Sequence, residues 1–137
     1  MIRILGIDVG TVRVGIALSD PLGLTAQPLE VIDAKGKSPF PRILEILEEF
    51  AVTKIIVGNP LRLSGQAGLA SENAERFVKG LQSRTTVPIE LWDERLSTAQ
   101  AQRVMIGGGA RRKTRRQSID KVAASLILQS YLDANSS

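Results

Sequence analysis

The sequence contains no histidine and no cysteine among its 137 residues. These absences exclude a thiolate or imidazole zinc site, a Ser-His-Asp triad, a Cys-His pair and a disulfide. Aromatic residues are scarce as well, at 4%, and we assign Trp92 and Tyr131 to the core rather than to base stacking. Any proton transfer or metal binding must therefore use Asp, Glu, Lys, Tyr or hydroxyl side chains.

Long hydrophobic runs are also missing. No apolar stretch approaches the ~18 residues that a membrane-spanning helix needs, and Asp8 comes too early for a signal-peptide core. A chain without cysteine depends on no oxidising compartment. We therefore expect a soluble cytoplasmic protein. Its length and its 43% hydrophobic content fit one globular domain over residues 1–134, followed by a short disordered tail at 135–137.

Positive charge is concentrated in one short segment. The net charge of +4 comes from 18 basic and 14 acidic residues. Five of the cations are Arg111, Arg112, Lys113, Arg115 and Arg116, and without them 13 basic residues face 14 acidic ones. The glycine-flanked segment 107–116 is thus a candidate basic loop that contacts nucleic-acid phosphates. A solvated loop without a partner is an equally weighted alternative.

The spacing of apolar residues predicts an α/β fold. Strands are predicted over 2–9, 13–19, 28–33, 54–58 and 87–92, and helices over 41–50, 70–81, 97–106 and from 118 onward. A short turn at Gly10 should join the first two strands as an antiparallel hairpin. The order βββαβαβαα predicts a single domain with a mixed five-stranded sheet and helices on both faces.

Three acidic residues stand where these elements meet. Asp8 ends the first strand, Glu94 follows the fifth strand, and Asp120 lies in the first turn of the last helix. Ligand sites in open α/β sheets gather at the carboxyl ends of strands. Carboxylate oxygens suit Mg²⁺ or Mn²⁺, and such ions support in-line attack of water on phosphorus. This chemistry requires neither histidine nor cysteine.

Each of these acids also has a structural interpretation. Asp120 is typical of a helix start, where the helix dipole favours an acid, and Glu94 could pair with Arg95 on the surface. Asp8 is harder to explain structurally, because a charge inside an apolar strand is costly to bury without a partner. Three further acids near element ends are not excluded by position, namely Asp33, Asp93 and Asp133.

Four segments of the chain together resemble one known family. They are Gly-Ile-Asp-Val-Gly-Thr at 6–11 with the strand after it, Val57-Gly58 with Pro60, Leu61 and Gly65, Asp-Glu-Arg-Leu-Ser-Thr at 93–98, and the last helix from Ile119 to Leu132. In this order they resemble the bacterial YqgF family, also called RuvX, of RNase H-like nucleases. Asp-Glu-Arg-Leu-Ser-Thr is the most specific of the four.

The resemblance implies an RNase H-like fold and a nuclease that depends on Mg²⁺ or Mn²⁺. It assigns the catalytic and metal-binding roles to Asp8, Glu94 and Asp120. It also implies a function in trimming the 5′ end of pre-16S ribosomal RNA, while some members are named Holliday junction resolvases. The chain departs from the family at Asn59, where an apolar residue is common. Ala123 occupies the position at which better-known junction resolvases carry a fourth acid.

Arg13 and Arg95 stand nearest the predicted carboxylates, and we expect them to contact phosphates together with the basic segment. Two other functions are compatible with the sequence. Gly-Ile-Asp-x-Gly-Thr also opens the phosphate hairpin of sugar kinases and actin-like ATPases, although those enclose ATP between two such domains. A non-catalytic RNA-binding protein of ribosome assembly is the second. We expect a monomer or a weak homodimer, since a resolvase must present two active sites to a junction.

Overall fold

The computed structural model describes residues 2–60, 68–97 and 112–135, with side chains in the last range from Val122 onward. Its strands are β1 (Ile4–Val9), β2 (Arg13–Ser19), β3 (Ala26–Asp33), β4 (Lys54–Asn59) and β5 (Ile89–Asp93). The α-helices of this described part are α1 (Phe40–Glu49), α2 (Leu69–Gln82) and α3 (Arg112–Asn135). None of them is long and apolar enough to cross a membrane.

The strands form one mixed sheet in the order β3-β2-β1-β4-β5. The predicted hairpin is present, with β1 and β2 antiparallel and Ile7 opposite Ile16. β4 is parallel to both of its neighbours, so that β1, β4 and β5 run in one direction. Their carboxyl ends therefore meet at one edge of the sheet, hereafter the carboxyl edge.

Helices cover both faces of the sheet, as the sequence pattern predicts. Leu5 and Ile7 of β1 pack in one core cluster with α1 and α2, whereas Ile4 packs in a second cluster with α3. Gly6 also faces α3, because a Cβ there would lie 2.7 Å from the Cβ of Leu128. This glycine lets the helix approach the central strand closely. The alternation along β1 thus assigns Gly6 and Asp8 to the α3 face.

The last helix begins earlier than predicted. It starts at Arg112 rather than near Ser118, so the expected basic loop is wrong for Arg112 to Arg116, which form the first helical turns. Arginine and lysine are good helix formers, and no glycine or proline separates Arg112 from Ser118. Asn135, expected in a disordered tail, is the last residue of this helix. Of the helix predicted over 97–106, Ser97 is described and has an extended backbone; residues 98–106 and Arg111 lie outside the described residues.

Candidate active site

Asp8 is buried near the carboxyl end of the central strand. It is 5% exposed, pairs with Gly15 of β2, and lies one residue beyond the Ile7–Val57 pair of β1 and β4. A carboxylate in this position needs compensating partners, because transfer of a charge out of water is costly. The strand end predicted from the sequence therefore holds a buried acid on the α3 face.

Glu94 is buried as well, which makes the alternative of a surface ion pair wrong. It opens a single 3-10 turn, Glu94–Leu96, directly after β5, and it is 1% exposed. The Asp93 side chain caps this turn by accepting a hydrogen bond from the Arg95 amide at 2.9 Å. At the other end, the amide and the hydroxyl of Ser97 both donate to the Glu94 carbonyl, at 3.0 and 2.9 Å. The turn thus fixes the backbone that carries Glu94.

Gly58 lies on β4, the strand between β1, which carries Asp8, and β5, which leads to Glu94. It is the next residue after Val57, so the β1–β4 register sets it level with Asp8. A Cβ on Gly58 would lie 3.2 Å from the Glu94 Cγ and 2.7 Å from the Ile127 Cδ1. Glu94 therefore covers Gly58 on the face where α3 packs. Two buried carboxylates share one face of the sheet at its carboxyl edge.

The backbone of α3 carries Asp120 towards this edge. Lys54, at the start of β4, donates from its Nζ to the Tyr131 hydroxyl, whereas Gly58 near the end of β4 meets Ile127. The helix therefore runs antiparallel to β4, and its earlier residues lie towards the carboxyl edge. The carboxylate of Asp120 is outside the described side chains, among which no group of three acids could hold a metal ion.

The other acids named from the sequence have different surroundings. Asp33 lies at the end of the outer strand β3 and accepts a hydrogen bond from the Lys35 amide at 3.0 Å. Asp133 is exposed near the end of α3 and accepts one from Gln129 at 2.9 Å. Asp33 is two strands away from Asp8 in the sheet, and Asp133 lines a surface pocket together with Leu96, Ser97 and Ser130.

Arg95 forms an ion pair with Asp93 through two of its guanidinium nitrogens. Its Nε and Nη2 donate to Asp93 at 3.0 and 2.6 Å. The Arg95 guanidinium holds the pKa of Asp93 below its usual value, and Asp93 raises the pKa of Arg95. Arg13 begins β2 opposite Asp33, and its carbonyl accepts from the Gly10 amide at 2.9 Å in the hairpin turn. Phosphate contacts by these two arginines stay a prediction.

Core roles for the two large aromatic residues are confirmed. Tyr131 is 7% exposed, and the half-buried Trp92 meets its ring edge-on at 5.3 Å between centroids. The Trp92 Nε1 donates to the Ser130 hydroxyl at 3.1 Å. Sequence reasoning missed Ser130 and Gly58, because neither a lone helical serine nor a strand glycine signals a contact to another element.

Comparison with known proteins identifies the family. A family model described as "RuvX: Holliday junction resolvase" matches residues 2–134. The chain belongs to the RuvX family. A Geobacillus relative named "Putative pre-16S rRNA nuclease" is 47% identical over 135 residues, which cover 96% of this chain and 98% of the relative. A relative of the same name from Pelotomaculum thermopropionicum is 46% identical, covering 96% and 87%. The resemblance drawn from the motifs is confirmed.

Solved structures support the RNase H-like fold of this RuvX-family chain. RuvC of Thermus thermophilus, in complex with a Holliday junction substrate, aligns with a TM-score of 0.59 at 19% identity. The alignment covers 98% of this chain and 95% of that one. The fowlpox virus Holliday junction resolvase aligns with a TM-score of 0.52 at 14% identity, covering 97% and 99%. At these identities the likeness shows the fold alone, and the predicted fold class is confirmed.

Proposed function

We propose that this protein is a metal-dependent nuclease that hydrolyses phosphodiester bonds in RNA and processes the 5′ end of pre-16S ribosomal RNA. The observation that carries the proposal is that Asp8 and Glu94 are both buried on the same face of the sheet at its carboxyl edge. The names of relatives at 46–47% identity support the choice of substrate. This substrate would place the enzyme in ribosome biogenesis in the cytoplasm.

The donors at the carboxyl edge suit a hard divalent cation. They are carboxylate oxygens, and no histidine or cysteine exists in the chain to favour a softer metal. Asp8 and Glu94 would hold Mg²⁺ or Mn²⁺, with Asp120 as the third ligand supplied by α3. When bound, the cation would supply the charge stabilisation that in-line attack of water on a phosphodiester needs.

The residues of the chain itself provide position and shape. Asp8 lies on β1 and Glu94 on the short turn that follows β5, not on long loops, and this placement favours a site whose geometry is set before substrate binds. Arg13, Arg95 and the basic segment Arg111, Arg112, Lys113, Arg115 and Arg116 would bind the phosphate backbone. Such contacts position nucleic acid without reading its sequence. To bind a phosphate, Arg95 would have to break its ion pair with Asp93 or bind both groups at once.

The substitution Asp8→Asn tests the proposal, since it keeps the shape of the side chain and removes its charge. We expect cleavage of a 5′-extended pre-16S RNA in Mg²⁺ or Mn²⁺ to fall by at least about a hundredfold, as for loss of a group required in the transition state. Asp133→Asn is the matched control, because Asp133 is exposed and should leave the rate unchanged.

Two results would refute this function. One is a folded Asp8→Asn protein that cleaves at the wild-type rate, and the other is wild-type cleavage that persists in excess EDTA. Tight RNA binding by a wild-type protein that cleaves no substrate would instead favour the non-catalytic RNA-binding function. Hydrolysis of ATP would favour the kinase-like alternative.

Resolution of four-way DNA junctions is the second candidate, because the family description names it. Ala123 stands where better-known resolvases have a fourth acid, and here it is 2% exposed in the core between α3 and the sheet. A direct comparison of a four-way DNA junction with the 5′-extended RNA separates the two functions. A solution mass should accompany it, since junction resolution needs two active sites.

A further inference from the structure

The hydroxyl of Ser130 links the Glu94 turn to the helix α3. Ser130 Oγ donates to the Leu96 carbonyl at 2.8 Å and accepts from the Trp92 Nε1 at 3.1 Å. Leu96 is the last residue of the 3-10 turn that Glu94 opens, and Trp92 lies in β5 just before that turn. One side chain of α3 therefore bonds both to the strand that leads into the turn and to the end of the turn.

The direction of these bonds follows from the groups involved. The indole N–H can only donate, so the single hydroxyl hydrogen of Ser130 is left for the Leu96 carbonyl. A helical serine commonly bonds back to the carbonyl three or four residues earlier, and Ser125 does so with the Val122 carbonyl at 2.7 Å. Ser130 instead reaches 34 residues back along the sequence, to a different element.

The side chain at the end of the turn contributes little to holding the turn in place. The Leu96 side chain is 62% exposed, so packing holds the end of the turn weakly. The Asp93 cap and the two Ser97 bonds lie within the turn. These bonds fix the shape of the turn, but they do not connect it to α3. The Ser130–Leu96 bond joins the turn to the helix that carries Asp120 in its backbone.

We infer that Ser130 is a positioning residue for the metal site, because it holds the end of the Glu94 turn against α3 and so sets where the backbone of Glu94 lies. The inference rests on the proposed metal-dependent function. Ser130 itself touches neither substrate nor metal. Its effect reaches the site through the Leu96 carbonyl, two residues from Glu94.

The test compares Ser130→Ala with Ser130→Thr and with Ser125→Ala. Binding of Mn²⁺ is measured by electron paramagnetic resonance, together with the Mn²⁺ concentration for half-maximal RNA cleavage and the melting temperature. Loss of outer contacts to metal ligands weakens binding by ~10–100-fold, and we expect about tenfold for Ser130→Ala. Ser130→Thr keeps the hydroxyl and should restore affinity to within about threefold. Ser125→Ala removes a helical hydroxyl that bonds only locally and should match wild type.

If Ser130→Ala does not fold, Ser130→Cys takes its place with the same expected loss, because a thiol keeps the volume of the side chain but is a weak hydrogen-bond donor. Trp92→Phe is the control for the other bond of Ser130. It removes the donor to Ser130 but keeps the Ser130–Leu96 bond, so we expect Mn²⁺ affinity within about threefold of wild type. An affinity for Ser130→Ala equal to that of Ser125→Ala would overturn the inference, as would a Trp92→Phe loss as large as that of Ser130→Ala. If the wild-type protein binds no Mn²⁺, or if Asp8→Asn binds Mn²⁺ as tightly as wild type, the proposed function is refuted instead.

Discussion

Gly58→Ala probes the packing that brings Glu94 to the carboxyl edge. The new Cβ would lie 2.7 Å from the Ile127 Cδ1 and 3.2 Å from the Glu94 Cγ. Carbon atoms prefer separations of ~3.5–4.0 Å, so the first contact is short by about 1 Å and the second by about half as much. Ile127 is fully buried and cannot swing into solvent. Both neighbours must therefore shift within a packed core.

The expected cost of this overpacking is ~1–3 kcal/mol in the free energy of unfolding. For a domain of this size the loss corresponds to a fall in melting temperature of roughly 4–12 °C. The displacement of Glu94 adds a separate effect on the site, and we expect Mn²⁺ affinity to fall by about tenfold. Urea unfolding measures the first effect and electron paramagnetic resonance of Mn²⁺ measures the second.

The double variant Gly58→Ala/Ile127→Val separates the two contacts. Ile127→Val removes the Cδ1 atom and alone costs ~0.5–1.5 kcal/mol, but beside the introduced alanine it relieves the shorter contact. The double variant should therefore be more stable than the sum of the single variants implies. Its Mn²⁺ affinity should stay low, because the contact with the Glu94 Cγ remains.

Gly80→Ala is the steric control on the opposite face of the sheet. Its Cβ would lie 2.9 Å from the Phe40 Cζ, so it overpacks the cluster under α1 and α2 without touching an acid. We expect its Mn²⁺ affinity to equal that of wild type. The reasoning fails if Gly58→Ala unfolds like wild type, or if it loses stability while binding Mn²⁺ as tightly as Gly80→Ala does.

Two further predictions concern the surroundings of the carboxyl edge. Asn59→Ala removes the acceptor of the fully buried Ser71 hydroxyl, which donates to the Asn59 Oδ1 at 2.6 Å. Urea unfolding should show that the free energy of unfolding falls by ~1–3 kcal/mol and that much of this loss is recovered in Asn59→Ala/Ser71→Ala. Equal stabilities for the single and double variants would contradict this prediction. Arg95→Gln should cause a small loss of stability at pH 7. Because Arg95 lowers the folded pKa of Asp93, the difference from wild type should disappear as the pH falls from 3.8 through that folded pKa, whereas a constant difference at all pH values would refute the pairing.

Local patterns were sufficient to predict the mixed five-stranded sheet and the order of its strands and helices along the described chain. The nearly continuous apolar runs of β1 and β2 are typical of strands buried on both faces. The helical spacing of Phe40, Ile43, Leu44 and Leu47 identifies α1, because a helix buries one stripe of residues. The sequence also limited the chemistry, since a chain without histidine and cysteine leaves carboxylates as its metal ligands. Their places at strand ends make Asp8 and Glu94 candidate site residues, and the family resemblance gives them catalytic roles that stay a prediction; the structure shows that both are buried.

Tertiary structure decided which contacts hold these acids in place. From the sequence, Arg95 is close to both Glu94 and Asp93. The structure shows that its guanidinium binds Asp93. The roles of Gly58 and Ser130 depend on residues 36 and 34 positions away in the chain, so no local pattern reports them. The start of α3 was mispredicted because the charge of the basic segment suggested a loop, while its helix propensity favours the helix. Sequence thus determines the available chemistry, and long-range packing determines the geometry in which it can act.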